Sequence, residues 1–286
     1  MNHRKKRKIK DALCYALIFV SAGFSVVLIA GIIIYVVVKG APTITWEFLT
    51  SVTSVIKGTV GIAGNMLNTL MIILITMLFA TPIGIGAAIY LNEYAKPGRF
   101  VNLIKYATET LAGIPSIVFG LFGMMFFGQT LGLGYSILTG SLTLALMVLP
   151  LITRNTQEAL KAVPKGYREG AAGLGAGKWY SIRTILIPSS MPGIITGVIL
   201  AIGRIVGESA ALLFTAGSAK LLPKSIAGLF SKTFESGGTL TVQLYLSATS
   251  EGDFDTAFGI AFVVLVLVLL INMATKKLVA RYTLTQ

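Results

Sequence analysis

The chain has 286 residues, of which 55% are hydrophobic and only 12% charged, and its mean hydropathy is +0.82. That is more apolar surface than one soluble core buries, and it comes in unbroken runs of helix-spanning length, so the composition excludes both a soluble domain and a period-two membrane β-barrel. The single cysteine, Cys14, and single histidine, His3, leave no disulfide framework, no Cys- or His-based metal site and no Ser-His or Cys-His catalytic pair.

Residues 1–11 form a basic N-terminal stretch, and the apolar run that follows, from about Ala12 to Val38, is longer than the roughly 7–15 residues of a secretory signal. No small-x-small cleavage site follows it closely, so residues 12–39 are predicted as a retained first helix. Residues 40–64 read as a polar-aromatic loop with Trp46 near the interface. Further spans are predicted near Asn65–Tyr90, Tyr106–Phe127, Tyr135–Ile152, Met191–Ala216 and Thr256–Ala274, which makes about six in an all-α membrane protein. Pro82, Gly84 and Gly86 in the second span invite a kink or close helix contact, of which ordinary helix packing is the favoured reading, and Gly113 with Pro115 marks a kink or a break in the third. The connection 154–190 is long, polar and partly helical. Between Gly217 and Asp255, "KLLPKSIAGLFSKTF" has the makings of an amphipathic interfacial helix. No internal repeat stands out.

Lysine and arginine fall on alternate connections: Arg4 to Lys10, then Lys96 to Lys105, then Arg154 to Arg183, then Lys276 to Arg281. The remaining connections hold Lys39, Lys57, Lys220, Lys224 and Lys232, offset by acidic residues. By the positive-inside rule both termini are cytoplasmic, including the tail 277–286. The asymmetry accounts for the net charge of +13 without nucleic acid, and the basic N-terminus is an anchor at anionic lipid.

The stretch "REGAAGLGAGKW" at Arg168–Trp179 looks like a phosphate loop and fails as one. A P-loop needs glycine at Ala172 and a hydroxyl at Trp179, and a dinucleotide fingerprint needs glycine at Lys178. The pattern that does fit is Glu169-Gly170-Ala171, three residues, Gly175, nine residues, Ile185, one residue, Ile187-Pro188. This resembles the EAA loop of ABC-importer permeases, with Gly170 for the first alanine and Ile187 for leucine. A short helix entering a groove on a partner needs small residues for close approach, a turn at Gly175 and a charged anchor at Glu169. The resemblance implies a type I permease architecture over 65–276, whose loop 154–190 is the coupling helix that docks on cytoplasmic ATP-binding subunits.

In "AIGRIVGESAALLFTAG", Arg204 and Glu208 are four apart on a helix and so share a face. Each costs about 2.5–3.5 kcal/mol at the bilayer centre, so they must face protein or water. Gly193 and Gly197, and Gly203 and Gly207, have the spacing that lets neighbouring helices approach. An ion pair buried in the bundle is one reading; an oxyanion path is the other, since guanidinium offers a planar fork to tetrahedral oxyanions while Glu208 neutralises the empty site. With "YLNEYA" and "GIPSIVFG", this span resembles phosphate ABC-transporter permeases of the PstA type, from about Asn65 to Lys276. That resemblance implies a substrate path at Arg204, with Glu208 beside it. It also implies phosphate as cargo, a homologous sister permease, an extracytoplasmic phosphate-binding protein, and ATP hydrolysis by partner subunits, with no catalytic residue, cofactor or metal in this chain. Glu109 reads as a structural or interface carboxylate. The alternatives are the sister permease itself, a sulfate or molybdate permease, or an ATP-independent secondary anion transporter.

Overall fold

The computed structural model describes residues 3–54, 59–96, 98–223 and 225–283. Lys57, Lys224 and the last three residues of the basic tail lie outside them. The described chain is almost wholly helical. Helix α1 (His3–Gly40) leads through a short turn to α2 (Trp46–Thr50), and a small antiparallel hairpin, β1 (Val52–Ser54) with β2 (Thr59–Ile62), pairs Val52 with Ile62. Helix α3 (Ala63–Ile89) then continues as a wide turn over Tyr90–Tyr94. After α4 (Arg99–Ala112), α5 (Ser116–Gly123) and α6 (Ile137–Ala162) comes the short α7 (Lys165–Gly173). Helix α8 (Lys178–Ser181) merges into α9 (Ile187–Val206), followed by α10 (Ala210–Thr215), α11 (Ile226–Lys232), α12 (Leu240–Leu246) and α13 (Phe254–Thr283).

Among the described residues five helices are long and apolar enough to cross a membrane, and the bent pair Arg99–Ala112 plus Ser116–Thr130 makes a sixth if counted as one span. The third span is therefore broken rather than continuous: its halves meet at 104°. Proline has no N–H to donate and forces Ile114 out of the helical region, so the chain restarts at Ser116.

Helix α6 is the axis of the bundle. Ser136 caps it by accepting the Thr139 N–H at 3.1 Å, and its Leu144, Val148 and Ile152 are fully buried against Ile72 of α3 and Ala201 of α9. Close approach is bought with glycine: a Cβ at Gly84 would lie 2.8 Å from Ile152, and Cβ atoms at Gly193 and Gly197 would lie 2.6 Å from Ala159 and Asn155. Gly203, by contrast, meets no neighbouring atom. Helices α3, α6 and α13 run in one direction, and α9 runs back between them. Among the described residues the segments 90–99 and 154–183 and the end of α13 thus gather at one end of the bundle, called the basic end here. At the opposite end, Phe48, Ile62, Leu240 and Ile260 form a second core.

The segment expected to lie as an amphipathic helix along the interface is helical only over Ile226–Lys232, and Lys232 is 2% exposed. Burial pushes its ammonium pKa down, with Glu235 pulling the other way. A lysine turned inward cannot line a lipid surface.

Candidate coupling and permeation sites

Helix α7 starts after Pro164, whose extended ψ and fixed φ end α6 and open the new turn. It closes in a Schellman motif: Gly175 N–H donates to Ala172 O and Ala176 N–H to Ala171 O, both at 3.0 Å, with Gly175 at φ +76°. A side chain at Gly175 would be strained in that left-handed conformation. Glu169, Gly170 and Ala172 are exposed, while Ala171 is 5% exposed and turned into the fold. Nothing lies within 4 Å of a Cβ built at Gly170. The small residues therefore divide, with Ala171 seating the helix on its own chain and Gly170 and Ala172 left on the open face. Behind α7, Leu160, Val163, Ile182 and Leu186 pack into a separate apolar cluster that pins the whole segment to the end of α6.

Sequence reasoning missed what anchors this segment. The Arg168 guanidinium donates to Glu93 Oε1 at 2.9 Å, to Leu160 O at 2.9 Å and to Val163 O at 3.1 Å. It thereby satisfies two carbonyls at the C-terminal end of α6 and holds the end of α3 at once. Asn92 also donates to Glu93, at 2.7 Å. The side chains of Glu93 and Arg168 are 9% and 28% exposed. An exposed pair contributes about 0–1 kcal/mol, but removing one partner of a pair this enclosed strands a poorly hydrated charge. A second tie lies one residue on, where the Lys178 ammonium sits 4.8 Å from the centre of the Tyr94 ring. No local spacing pairs residues 75 positions apart. Glu109 is exposed and lines a nearby cavity with Lys105 and Arg154.

The expected Arg204–Glu208 face is not formed, because α9 stops at Val206. Gly207 and Glu208 turn out of the helix, their N–H groups donating to Gly203 O and Ile205 O, each at 3.2 Å. Glu208 Oε1 then accepts the Ala211 N–H at 3.0 Å, capping the restarted α10. A carboxylate is drawn to those free N–H groups and to the positive end of the helix dipole. The Glu208 backbone carbonyl is held in turn by the Thr241 hydroxyl at 2.7 Å. Glu208 is thus a cap and not a counter-ion: it forms no ion pair with Arg204 among the described residues. Arg204, in the last turn of α9, complements the dipole's negative end. It is exposed, off the buried face of Ala201 and Ile205. Continuing the antiparallel register set by Gly193 on Ala159 and Gly197 on Asn155 puts it level with the middle of α6.

Over residues 80–283 the sequence matches the family described as binding-protein-dependent transport system inner membrane component. The chain belongs to this family. Such a permease is a membrane part of a transporter and not an enzyme in its own right, as the sequence led us to expect. It is 36% identical over 282 residues to the probable ABC transporter permease protein YqgI of Bacillus subtilis, covering 95% of this chain and 96% of that one. It is 30% identical over 277 residues to the phosphate transport system permease protein PstA of Xylella fastidiosa (strain Temecula1), covering 97% and 95%. Among solved structures, the permease fold is shared with a bacterial alginate ABC transporter in complex with an alginate-bound periplasmic protein (TM-score 0.68, 15% identity, 96% and 97% covered). It is shared too with the MetNI methionine ABC transporter (TM-score 0.62, 17% identity, 75% and 93% covered). These likenesses establish the type I importer-permease fold.

Proposed function

We propose that this permease is the PstA-type subunit of an ATP-driven phosphate importer, with core 65–276 in the membrane and residues 1–11 and 277–286 in the cytoplasm. Phosphate arrives on an extracytoplasmic binding protein, crosses between this chain and a homologous sister permease, and is released when cytoplasmic ATPase subunits bound at 154–190 complete their cycle. Glu169, Gly170 and Gly175 form the docking helix and its turn, with Ala171 fastening it from behind. Arg204 is the anion-binding group of the path and Glu208 sets the helix break beside it.

The observation that carries this reading is Arg204: a fixed positive charge midway along the bundle, exposed on the single chain, without an ion pair among the described residues. An uncompensated guanidinium at that depth is costly unless protein, water or an anion faces it. The PstA-named relatives, 30–34% identical, point to phosphate as the anion. Uptake of labelled phosphate into proteoliposomes holding the complete transporter tests it. Arg204→Lys should leave the complex intact and lower uptake, because an ammonium lacks the bidentate fork. Undiminished phosphate uptake by that variant overturns the role of Arg204, and uptake of sulfate or molybdate in preference to phosphate overturns the assigned cargo.

A further inference from the structure

We propose that α3 is the rod that links the coupling segment to the opposite end of the bundle, with Glu93 and Arg168 as its latch; this rests on reading 154–190 as the ATPase-docking segment. The helix is bonded at both ends to segments remote in sequence. At the basic end Glu93 takes the Arg168 guanidinium at 2.9 Å, and the Tyr94 ring takes Lys178. Arg168 is the neighbour of Glu169, and both carboxylates line one cleft with Asn92, Lys161, Lys165 and Arg168. A push on the docking face is therefore delivered to Glu93 through a single residue.

At the other end Asn65 donates to Gly238 O at 2.9 Å, and Asn68 donates to Ala219 O at 3.0 Å and Gly238 O at 3.1 Å. Thr69 accepts the Leu240 N–H at 3.0 Å. Both asparagines are buried, and their amide oxygens have no hydrogen-bond partner, an expensive arrangement for a static contact. From Leu240 one residue leads to Thr241, which holds the Glu208 carbonyl at 2.7 Å, at the break just beyond Arg204. Between its two ends α3 is continuous over Ala63–Ile89, and its glycine contact on Ile152 lets it lie tight along α6. Pro82 lies inside it without ending it, and a continuous helix fastened this way transmits displacement along its axis. Glu93, Arg168 and Asn68 are positioning residues in this scheme, touching neither cargo nor nucleotide.

The test uses the complete transporter, with its ATPase partners, in proteoliposomes supplied with inorganic phosphate and the binding protein, and reads phosphate imported per ATP hydrolysed. Glu93→Ala should keep its ATPase partners and still hydrolyse ATP, while import per ATP falls about fivefold or more. Asn68→Ala should act in the same direction, and the double variant should be no worse than the worse single one, since both interrupt one rod. Glu93→Gln and Asn65→Ala stand in for either variant that does not purify. An unchanged ratio, losses that multiply in the double variant, or loss of the ATPase subunits from Glu93→Ala would each overturn the proposal. Glu169→Lys on the same preparation separates the two readings. If it neither strips nor uncouples the ATPase, the docking assignment falls and the rod with it. If it uncouples while Glu93→Ala does not, the rod alone falls.

Discussion

Among the described residues two helices of the bundle are interrupted, at Pro115 and after Val206, and they are interrupted for opposite reasons. Between α4 and α5 the break is placed by covalent chemistry: Pro115 has no N–H to donate and crowds Ile114 out of the helical region, and no side chain caps the start of α5. Between α9 and α10 nothing forbids the helix, and the break is held by hydrogen bonds, from Ala211 N–H to the Glu208 carboxylate and from Thr241 to the Glu208 carbonyl. The two restarted helices then pack on each other, with a Cβ at Gly120 falling 2.9 Å from the Ala211 backbone. A break written in proline stays where it is put. One written in hydrogen bonds is reversible, and the reversible one carries Arg204.

Placing a side chain where the two breaks meet should do the most damage. Gly120→Val pushes into backbone that has no room to retreat, and should cost about 1–3 kcal/mol or more, seen as a large drop in thermal midpoint or in folded yield in detergent. Removing the polar cap comes next: Glu208→Ala should cost about 0.5–2 kcal/mol, with Glu208→Gln recovering part of it because the amide oxygen still accepts. A smaller change is expected from Pro115→Ala, about 0.4–1 kcal/mol through the freer unfolded chain; a loss larger than that of Glu208→Ala would reverse the contrast drawn here.

The smallest effect is a pH dependence outside both breaks. Burial alone would raise the Glu251 carboxyl, but hydrogen bonds from Ser247 and Gln243 and the Lys220 ammonium outweigh it and leave the pKa below its usual value. A carboxyl depressed on folding contributes stability that is present above its unfolded pKa of about 4.3 and lost as pH falls through the folded value. The difference in thermal midpoint between wild type and Glu251→Gln should accordingly shrink on going from about pH 7 to pH 4.

The spans and the segregation of basic residues to one end were legible because length, hydropathy and charge are summed properties. The Gly175 turn was legible because a helix C-terminus asks for glycine locally. Pro115 announced an interruption, though not its angle. The end of α9 was hidden, since Gly207 and Ser209 are common inside membrane helices, and the reason to stop is a bond to Thr241, 33 positions away. For the same reason the spacing of Arg204 and Glu208 suggested a shared face that the chain does not make. Glu93 and Arg168 join across 75 positions, and their types, ordinary at any membrane boundary, gave no hint of one another.

Helix α1 bears on how the molecule is made. Its apolar stretch buries essentially nothing against the rest of the chain, and its packing is concentrated where Gly40 and Tyr35 meet Phe258 and Phe262 of α13. Those partners lie more than two hundred residues downstream. During synthesis α1 can enter the lipid on its own hydropathy, yet its contact with α13 must wait until Phe258 and Phe262 have left the ribosome. Closing that contact belongs among the late events of assembly, after the α3, α6 and α9 core has had time to form around its glycines.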